Sequence, residues 1–100
     1  MANSRLESEY QLNVCDKLRE LFPGCILIKN DANYLQGFPD WTLFWGLHWA
    51  CLEIKRGDEA KHRPNQDYYV EKLNNMSFAA FIFPENEERV LYELQQSFKS

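Results

Sequence analysis

Hydrophobic residues recur along this chain with two spacings, and each change of spacing marks the boundary of a predicted element. A helical spacing runs over residues 4–22 and ends at Pro23-Gly24. Runs rich in β-branched and aromatic residues predict four strands, at 25–29, 41–45, 48–54 and 78–83. Helical spacing returns at 64–77, with Pro64 in the first helical position, and at 85–98. The predicted order is αβββαβα, in a single α/β domain over residues 1–100.

The second and third strands are separated only by Gly46-Leu47, which predicts a tight hairpin with a type II′ turn. If the residues flanking that turn face each other, counting back along both strands places Asp40 directly opposite Glu53. Opposed residues have Cβ atoms about 4.5 to 5.5 Å apart on one face of a sheet. Lys55 follows Glu53 by two positions, so strand alternation puts it on the same face. This prediction depends on the register, because a slip by one residue would send Asp40 and Glu53 to opposite faces.

Both faces of the predicted hairpin are apolar, because Trp41, Leu43 and Trp45 alternate with Thr42 and Phe44. A sheet that is apolar on both faces needs cover on both, so we expect helices to pack on its two sides. The tryptophans are interpreted as core or dimer contacts rather than as platforms on which nucleic-acid bases stack.

Two carboxylates at the distance predicted for Asp40 and Glu53 repel each other, and like charges directly opposite destabilise a sheet. A divalent cation with oxygen ligands would neutralise them. Mg²⁺ in particular is commonly held by one or two carboxylates together with water and substrate phosphate. Lys55 adds a positive charge suited to orienting an attacking water or stabilising negative charge on a phosphate. The pattern therefore predicts a metal-dependent centre for phosphate chemistry.

The motifs that carry this centre, Pro39-Asp40 and Glu53-Ile54-Lys55, resemble those of the PD-(D/E)xK nuclease superfamily. Within it the chain looks most similar to the VRR-NUC group and to phage enzymes of the Holliday-junction-resolvase type. Gly37 precedes the first motif, a hairpin-length spacer follows it, and Gln66 opens a helix. The resemblance implies a restriction-endonuclease-like fold, with an αβββαβα core around a central mixed four-stranded sheet. It also implies a Mg²⁺- or Mn²⁺-dependent endonuclease.

The resemblance extends the site by three further residues. It implies the backbone carbonyl of Ile54 as a metal ligand alongside Asp40 and Glu53. Glu7 lies on the inward stripe of the first helix, where relatives often carry an extra acidic ligand; the alternative is a frayed helix end or a local helix pair. Gln66 also lies on an inward stripe, and in relatives a glutamine at this place lies beside the catalytic lysine; the alternative is a glutamine that caps a helix turn or frays to solvent.

The net charge of −4 argues mildly against a nucleic-acid binder, because affinity for phosphates comes largely from lysine and arginine. The charge is unevenly distributed, however, with basic residues clustered beside the predicted centre. The residues expected to contact nucleic acid are Lys29, Tyr34, Arg56, Lys61 and Arg63. For Lys29 the alternative is a solvated strand end, and for Tyr34 it is a residue that covers the core rather than stacking on a base. We expect weak binding of nucleic acid without metal.

The combined prediction is hydrolysis of DNA phosphodiester bonds, with selectivity for branched or junction DNA if two sites face opposite strands. A homodimer is expected because 100 residues present little surface to a duplex and minimal relatives are commonly paired. RNA is a weaker variant as substrate. The alternative class is a catalytically silent module on a nuclease fold that binds nucleic acid, or a protein-interaction module whose tryptophans form the contact surface.

Membrane and export signals are absent from the sequence pattern. No apolar run approaches the ~18 residues of a membrane span, and the first residues contain no signal-peptide core. A cytoplasmic location in a bacterial or phage-infected cell is therefore expected. Cys15, Cys25 and Cys51 have neither C-x-x-C nor zinc-ligand spacing and are interpreted as reduced, mostly buried thiols.

Overall fold

A computed structural model of the chain describes residues 2–99, which form three helices and four strands. The elements are α1 (Ala2–Leu21), β1 (Ile26–Lys29), β2 (Trp41–Trp45), β3 (His48–Ile54), α2 (Gln66–Met76), β4 (Phe78–Ile82) and α3 (Glu87–Ser97). Their order confirms the predicted αβββαβα succession. No helix among these residues is both long enough and apolar enough to cross a membrane.

The strands form one mixed sheet with the spatial order β1-β2-β3-β4. β1 and β2 pair antiparallel, as do β2 and β3, whereas β4 runs parallel to β3. A parallel pair needs a crossover connection, and α2 supplies it here. The α/β class and the mixed four-stranded sheet predicted from the sequence are thereby confirmed.

The β2–β3 hairpin has the predicted register, with Trp45 paired directly to His48. Continuing this register one step beyond β2 brings Asp40 opposite Glu53. At the turn, Gly46 has a φ of +62° and the next residue has a negative φ, which is the combination of a type II′ turn. The geometric basis for opposed carboxylates is therefore present.

The main hydrophobic core lies on the face of the sheet that α1 and α3 cover. Its fully buried members come from both helices and from three strands: Val14, Leu18, Leu43, Ala50, Leu52, Ile54, Ile82, Val90 and Leu94. A smaller cluster on the opposite face joins α2 to β3 and β4 through Cys51, Leu73 and Ala79. The tryptophans pack, partly buried, against these two clusters, in agreement with their interpretation as core residues.

One face of the sheet is covered less completely than predicted. α2 packs on β3 and β4, the strands that it connects. Ile26, Ile28 and Phe44 lie on the same face of β1 and β2 and are exposed. The expectation of helices over both faces of the hairpin is wrong for this part of the sheet, because a helix about 10 Å wide spans only about two strands.

The second helix begins later than predicted. Pro64 lies in a turn, and α2 starts at Gln66 after Asn65, whose φ is 70°. A residue in the left-handed conformation cannot continue a right-handed helix, so Pro64 is not the first helical residue. The turn lies directly against Gly37 of the loop between β1 and β2.

The close approach of Gly37 to this turn leaves no room for a side chain. Gly37 has a φ of +88°, and a Cβ there would lie 2.6 Å from the Cβ of Asn65 and 2.7 Å from the carbonyl oxygen of Pro64. We expect Gly37→Ala to lower the free energy of unfolding by about 2 to 5 kcal/mol, because it combines strain at positive φ with overlap of backbone atoms. Urea unfolding followed by circular dichroism measures this loss.

The matched control for this substitution is Gly46→Ala. Gly46 also has a positive φ, of +62°, but an added Cβ would meet no described atom within 4 Å. Only the conformational strain of about 1 to 2 kcal/mol is expected there. Equal losses in the two variants would contradict the packing role assigned to Gly37.

The cysteines agree with their interpretation as unpaired thiols. Cys15 and Cys51 are buried, Cys25 is half-buried, and none of them forms a disulfide within the described part of the chain. Burial raises the pKa of each thiol, which favours the neutral form.

Candidate active site

Five elements meet at one end of the sheet around a cleft of about 410 Å³. β1 and β3 end here, β2 begins here, and the N-terminal parts of α1 and α2 border the same space. The predicted site residues that line the cleft are Glu7, Lys29, Asp40, Glu53, Lys55, Arg63 and Gln66. The fold thus brings together residues that are widely separated in the sequence.

Asp40 is held at the start of β2 through its backbone and its side chain. Its carbonyl oxygen accepts a hydrogen bond from the backbone N–H of Asn30 at 2.7 Å, which extends the β1–β2 ladder by one residue. Its carboxylate Oδ2 accepts a hydrogen bond from Nε2 of Gln11 at 3.2 Å. The preceding residue, Pro39, is fully buried and anchors the entry to the strand.

Glu53 and Lys55 are nearly buried, with 3% and 6% of their surfaces exposed. Nζ of Lys55 lies 3.7 Å from Oε2 of Glu53 and donates a hydrogen bond to the carbonyl oxygen of Lys61 at 3.3 Å. The other carboxylate oxygen, Oε1 of Glu53, is buried and has no hydrogen-bond partner among the described residues. Buried polar atoms are nearly always paired, so this oxygen is suited to accept a hydrogen bond or to bind a cation.

The surroundings raise the pKa of Glu53 from 4.5 to about 8. The largest cause is burial, which disfavours the carboxylate; the negative charge of Asp40 adds to the effect, and Lys55 opposes it. One ammonium group cannot balance two carboxylates, so the centre lacks positive charge when both acids are ionised. A hard divalent cation supplies that charge, and a set of carboxylate and carbonyl oxygens suits Mg²⁺ or Mn²⁺.

Glu7 lies at the rim of the same cleft and is half-buried. Its Oε1 accepts a hydrogen bond from the backbone N–H of Arg56 at 3.3 Å. This contact joins α1 to the segment that follows β3, so Glu7 is neither at a frayed helix end nor engaged through this oxygen in a local helix pair. Its role as a metal ligand stays a prediction.

Gln66 is buried in the cleft as the first residue of α2. Its Oε1 accepts a hydrogen bond from the backbone N–H of Arg63 at 2.7 Å, so part of its function is to hold the segment before the helix. That segment also includes Lys61, whose carbonyl accepts from Lys55. Gln66 therefore reaches the lysine indirectly, through the backbone that both residues contact.

Gln11, which the sequence analysis did not select, occupies the centre of the site and is 8% exposed. Its Nε2 donates to Oδ2 of Asp40 at 3.2 Å and to the carbonyl oxygen of Ile54 at 3.4 Å. Its Oε1 accepts from Nζ of Lys29 at 2.8 Å and from Nε1 of Trp41 at 3.2 Å. Its polar side chain on the inward stripe of α1 could have marked Gln11 as a site residue, as the same feature marked Glu7 one helical turn earlier.

A second cleft of about 370 Å³ adjoins the first, and Lys55 and Arg63 line both. Arg56 and Lys61, which are predicted to contact nucleic acid, also line the second cleft. The described lining of the second cleft therefore contains four lysine or arginine side chains and one acid, Glu7. Phosphate groups are the anionic ligands expected at such a surface.

Lys29 lines the first cleft, and Tyr34 lies outside it, beside Lys29 in a neighbouring pocket. The ammonium group of Lys29 lies 5.1 Å from the centre of the Trp41 ring, in addition to its bond with Gln11, so this residue is more than a solvated strand end. Tyr34 is 89% exposed and does not cover the core. Its ring is accessible for stacking, and contact with a base stays a prediction.

Asp58, Glu59 and Glu85 form a separate acidic group outside the cleft, with carboxylate oxygens within 4.8 Å of one another. All three residues are exposed, and Arg56 lies within 3.8 Å of Glu59. Exposed acids of this kind are solvated and do not indicate a bound ion, so the cleft remains the candidate centre.

Comparison of the chain with known protein families, with curated proteins and with solved structures finds no match. The likeness of its motifs to a nuclease superfamily accordingly remains a resemblance. Function has to be inferred from the chemistry of the cleft.

Proposed function

We propose that this protein is a Mg²⁺- or Mn²⁺-dependent endonuclease that hydrolyses phosphodiester bonds in DNA. The observation that carries the proposal is the arrangement of Glu53: a buried carboxylate with one unpartnered oxygen, opposite Asp40 and beside Lys55. A structural ion pair would satisfy all its buried polar atoms. A centre that binds a cation and a phosphate leaves positions open for them.

The residues that would hold the metal are Asp40, Glu53 and the carbonyl of Ile54, with Glu7 as a further ligand or part of a second site. The donor set is entirely oxygen, as hard cations require. A bound Mg²⁺ or Mn²⁺ supplies Lewis-acid activation of water and of the phosphate oxygens.

Lys55 is the residue that we assign to the attacking water or to the negative charge that develops on the phosphate. Its ammonium group is placed by the carbonyl of Lys61, and Gln66 holds the same segment through Arg63. In the reaction the water oxygen bonds to phosphorus, one bridging P–O bond breaks, and the departing oxygen takes up a proton. Lys55 assists by positioning and by charge, with Gln66 in an indirect, positioning role.

The substrate is assigned from the distribution of charge around the cleft. Arg56, Lys61, Arg63 and Lys29, which line the two clefts, would contact backbone phosphates, and the exposed ring of Tyr34 would stack on a base. These contacts are to backbone and to stacked bases, which supports selection by nucleic-acid structure rather than by sequence. Branched or junction DNA is the preferred class, and RNA is the weaker variant.

The non-catalytic alternatives are less well supported. An interaction module in which Asp40 and Glu53 are unrelated surface acids does not fit the burial of Glu53. A silent nucleic-acid-binding module would have no reason to maintain a destabilising pair of opposed carboxylates. The homodimer stays a prediction, and the exposed apolar residues Ile26, Ile28 and Phe44 offer a surface for it.

The experiment that tests the proposal is cleavage of labelled four-way junction, flap, duplex and single-stranded DNA with Mg²⁺, Mn²⁺ or EDTA. We expect metal-dependent cutting with the junction or flap cut fastest. Asp40→Asn is expected to lower the rate by about 100-fold or more, because it removes a charged ligand of the metal. A junction and a flap made of RNA test the weaker variant in the same assay.

Asp16→Asn serves as the matched control, because Asp16 is an exposed residue of α1 that pairs with Arg19 of the same helix at 3.4 Å. This variant is expected to cut as the wild type does. If folded wild-type protein cuts none of the substrates with either metal, the proposed activity is wrong and the binding-module alternative takes its place.

A further inference from the structure

The side chain of Gln11 uses every hydrogen-bonding position that an amide has. Its two N–H groups are donated to Asp40 and to the carbonyl of Ile54, and its oxygen accepts from Lys29 and Trp41. The orientation of the amide is determined by these partners. A rotated amide would turn N–H groups toward an ammonium and an indole N–H, and its oxygen toward a carboxylate and a carbonyl.

The four contacts join α1 to the ends of three neighbouring strands at the cleft. Gln11 extends from α1, Asp40 precedes β2, and Ile54 ends β3, so one side chain links the helix to both strands of the hairpin. Lys29 at the end of β1 holds the opposite side of the amide. Lys29 and Trp41 therefore orient the amide through its oxygen. The amide nitrogen in turn orients the Asp40 carboxylate and the Ile54 carbonyl.

The Asp40 carboxylate and the Ile54 carbonyl are both assigned to the metal, so their positions determine whether it binds. When both are ionised, the carboxylates of Asp40 and Glu53 repel each other, which favours rotation of the Asp40 side chain away from the centre. A donated hydrogen bond to Oδ2 opposes this rotation. The carbonyl of Ile54 has a second lone pair, so a bond from Gln11 leaves it able to bind a metal.

We propose that Gln11 is a positioning residue that holds Asp40 and the carbonyl of Ile54 in the arrangement that binds the divalent cation. This inference rests on the proposed function, since it concerns the metal of that centre. Outer-sphere hydrogen bonds of this kind typically change metal affinity or activity by about 10- to 100-fold when they are removed. Gln11 touches neither the water nor the phosphate in this role, and acts through its two partners.

The test is titration of the protein with Mn²⁺ alone, without DNA, with free Mn²⁺ followed by electron paramagnetic resonance. Gln11→Met keeps the length and shape of the side chain and removes the amide. We expect its Mn²⁺ dissociation constant to rise by about 10- to 100-fold over that of the wild type. Gln95→Met, on the half-buried part of α3, controls for the substitution itself and is expected to leave affinity unchanged.

A second variant and a second readout separate positioning from a general structural role. Gln11→Asn keeps an amide that is one methylene too short to reach both partners, and it tests the inference if the methionine variant does not fold. DNA cleavage by either variant should recover as Mn²⁺ is raised to saturation, which a folding defect would not show.

The possible results distinguish this inference from the proposed function. Folded Gln11 variants that bind Mn²⁺ as tightly as the wild type would overturn the positioning role and leave the nuclease proposal intact. Wild-type protein that binds no Mn²⁺ would overturn both. Weaker binding in the Gln11 variants, together with recovery of cleavage at high Mn²⁺, would support the inference.

Discussion

Replacement of Lys55 by methionine is expected to reduce metal-dependent DNA cleavage by about 100- to 1,000-fold while Mn²⁺ binding persists. Methionine occupies nearly the same path as the lysine stem, and Lys55 as a whole is only 6% exposed, so the core around it should tolerate the change. The loss arises because the ammonium group next to Glu53 is the one charge assigned to the water or the phosphate. Single-turnover cleavage of the preferred substrate measures the rate.

The separation of binding from cleavage is the decisive part of this result. Removing a positive charge beside two carboxylates should leave the affinity for Mn²⁺ unchanged or raise it, because the competing cation is gone. Lys72→Met is the control, since Lys72 is an exposed lysine of α2 whose ammonium lies 6.0 Å from the ring centre of Tyr68. A Lys55→Met protein that binds metal and cuts at the wild-type rate would exclude Lys55 from the chemistry.

Replacement of Glu53 by glutamine is expected to stabilise the metal-free protein at alkaline pH while abolishing metal binding. The folded protein holds the pKa of Glu53 at about 8, against 4.5 for an ordinary glutamate. Between these values the folded state retains a proton that the unfolded chain releases, so the contribution of Glu53 is fully present below pH 4.5 and is lost as pH rises through 8. At about 1.4 kcal/mol for each pH unit, the loss is on the order of 5 kcal/mol.

Glutamine does not titrate, so the free energy of unfolding of Glu53→Gln should fall less steeply over this pH range than that of the wild type. The measurement is urea unfolding in EDTA at several pH values, compared as the difference between the two proteins so that other titrating groups cancel. Glu71→Gln, an exposed substitution on α2, should run parallel to the wild type. Parallel curves for Glu53→Gln and the wild type would show that Glu53 is not held protonated in the folded protein.

Both predictions concern the balance between protein stability and cation binding at the buried carboxylates. Buried carboxylates destabilise the protein when no cation is present, and the charge that makes them costly is what binds the cation. Added Mn²⁺ should therefore raise the thermal stability of the wild type and leave that of Glu53→Gln unchanged, by preferential binding to the folded state.

The sequence by itself determined the succession of elements and the register of the hairpin. Both depend on short-range rules: the two-residue alternation of a strand, the 3.6-residue repeat of a helix, and the preference of Gly46 for positive φ at a tight turn. The pairing of Asp40 with Glu53, and the position of Lys55, follow from counting along two adjacent strands. Tertiary contacts are not needed for that step.

Only the tertiary structure decided the features that depend on what packs against what. The start of α2 is delayed to Gln66 because Asn65 adopts a left-handed conformation against Gly37, a residue distant in sequence. The uncovered part of the sheet follows from the width of a single crossover helix. Neither feature can be predicted from a local sequence pattern, because each arises from a contact between separate elements.

The same reason explains why the centre of the site was only partly predicted. The sequence marks Glu53 as an acid in a strand, but its burial and its unpartnered oxygen depend on the helices and loops that close over it. Gln11 appears in the sequence as one more polar residue on an inward helix face, and its meaning comes from four partners supplied by three strands. Local periodicity determined which residues the proposed chemistry is assigned to, whereas long-range packing decided their burial, their charge state and the amide that contacts them.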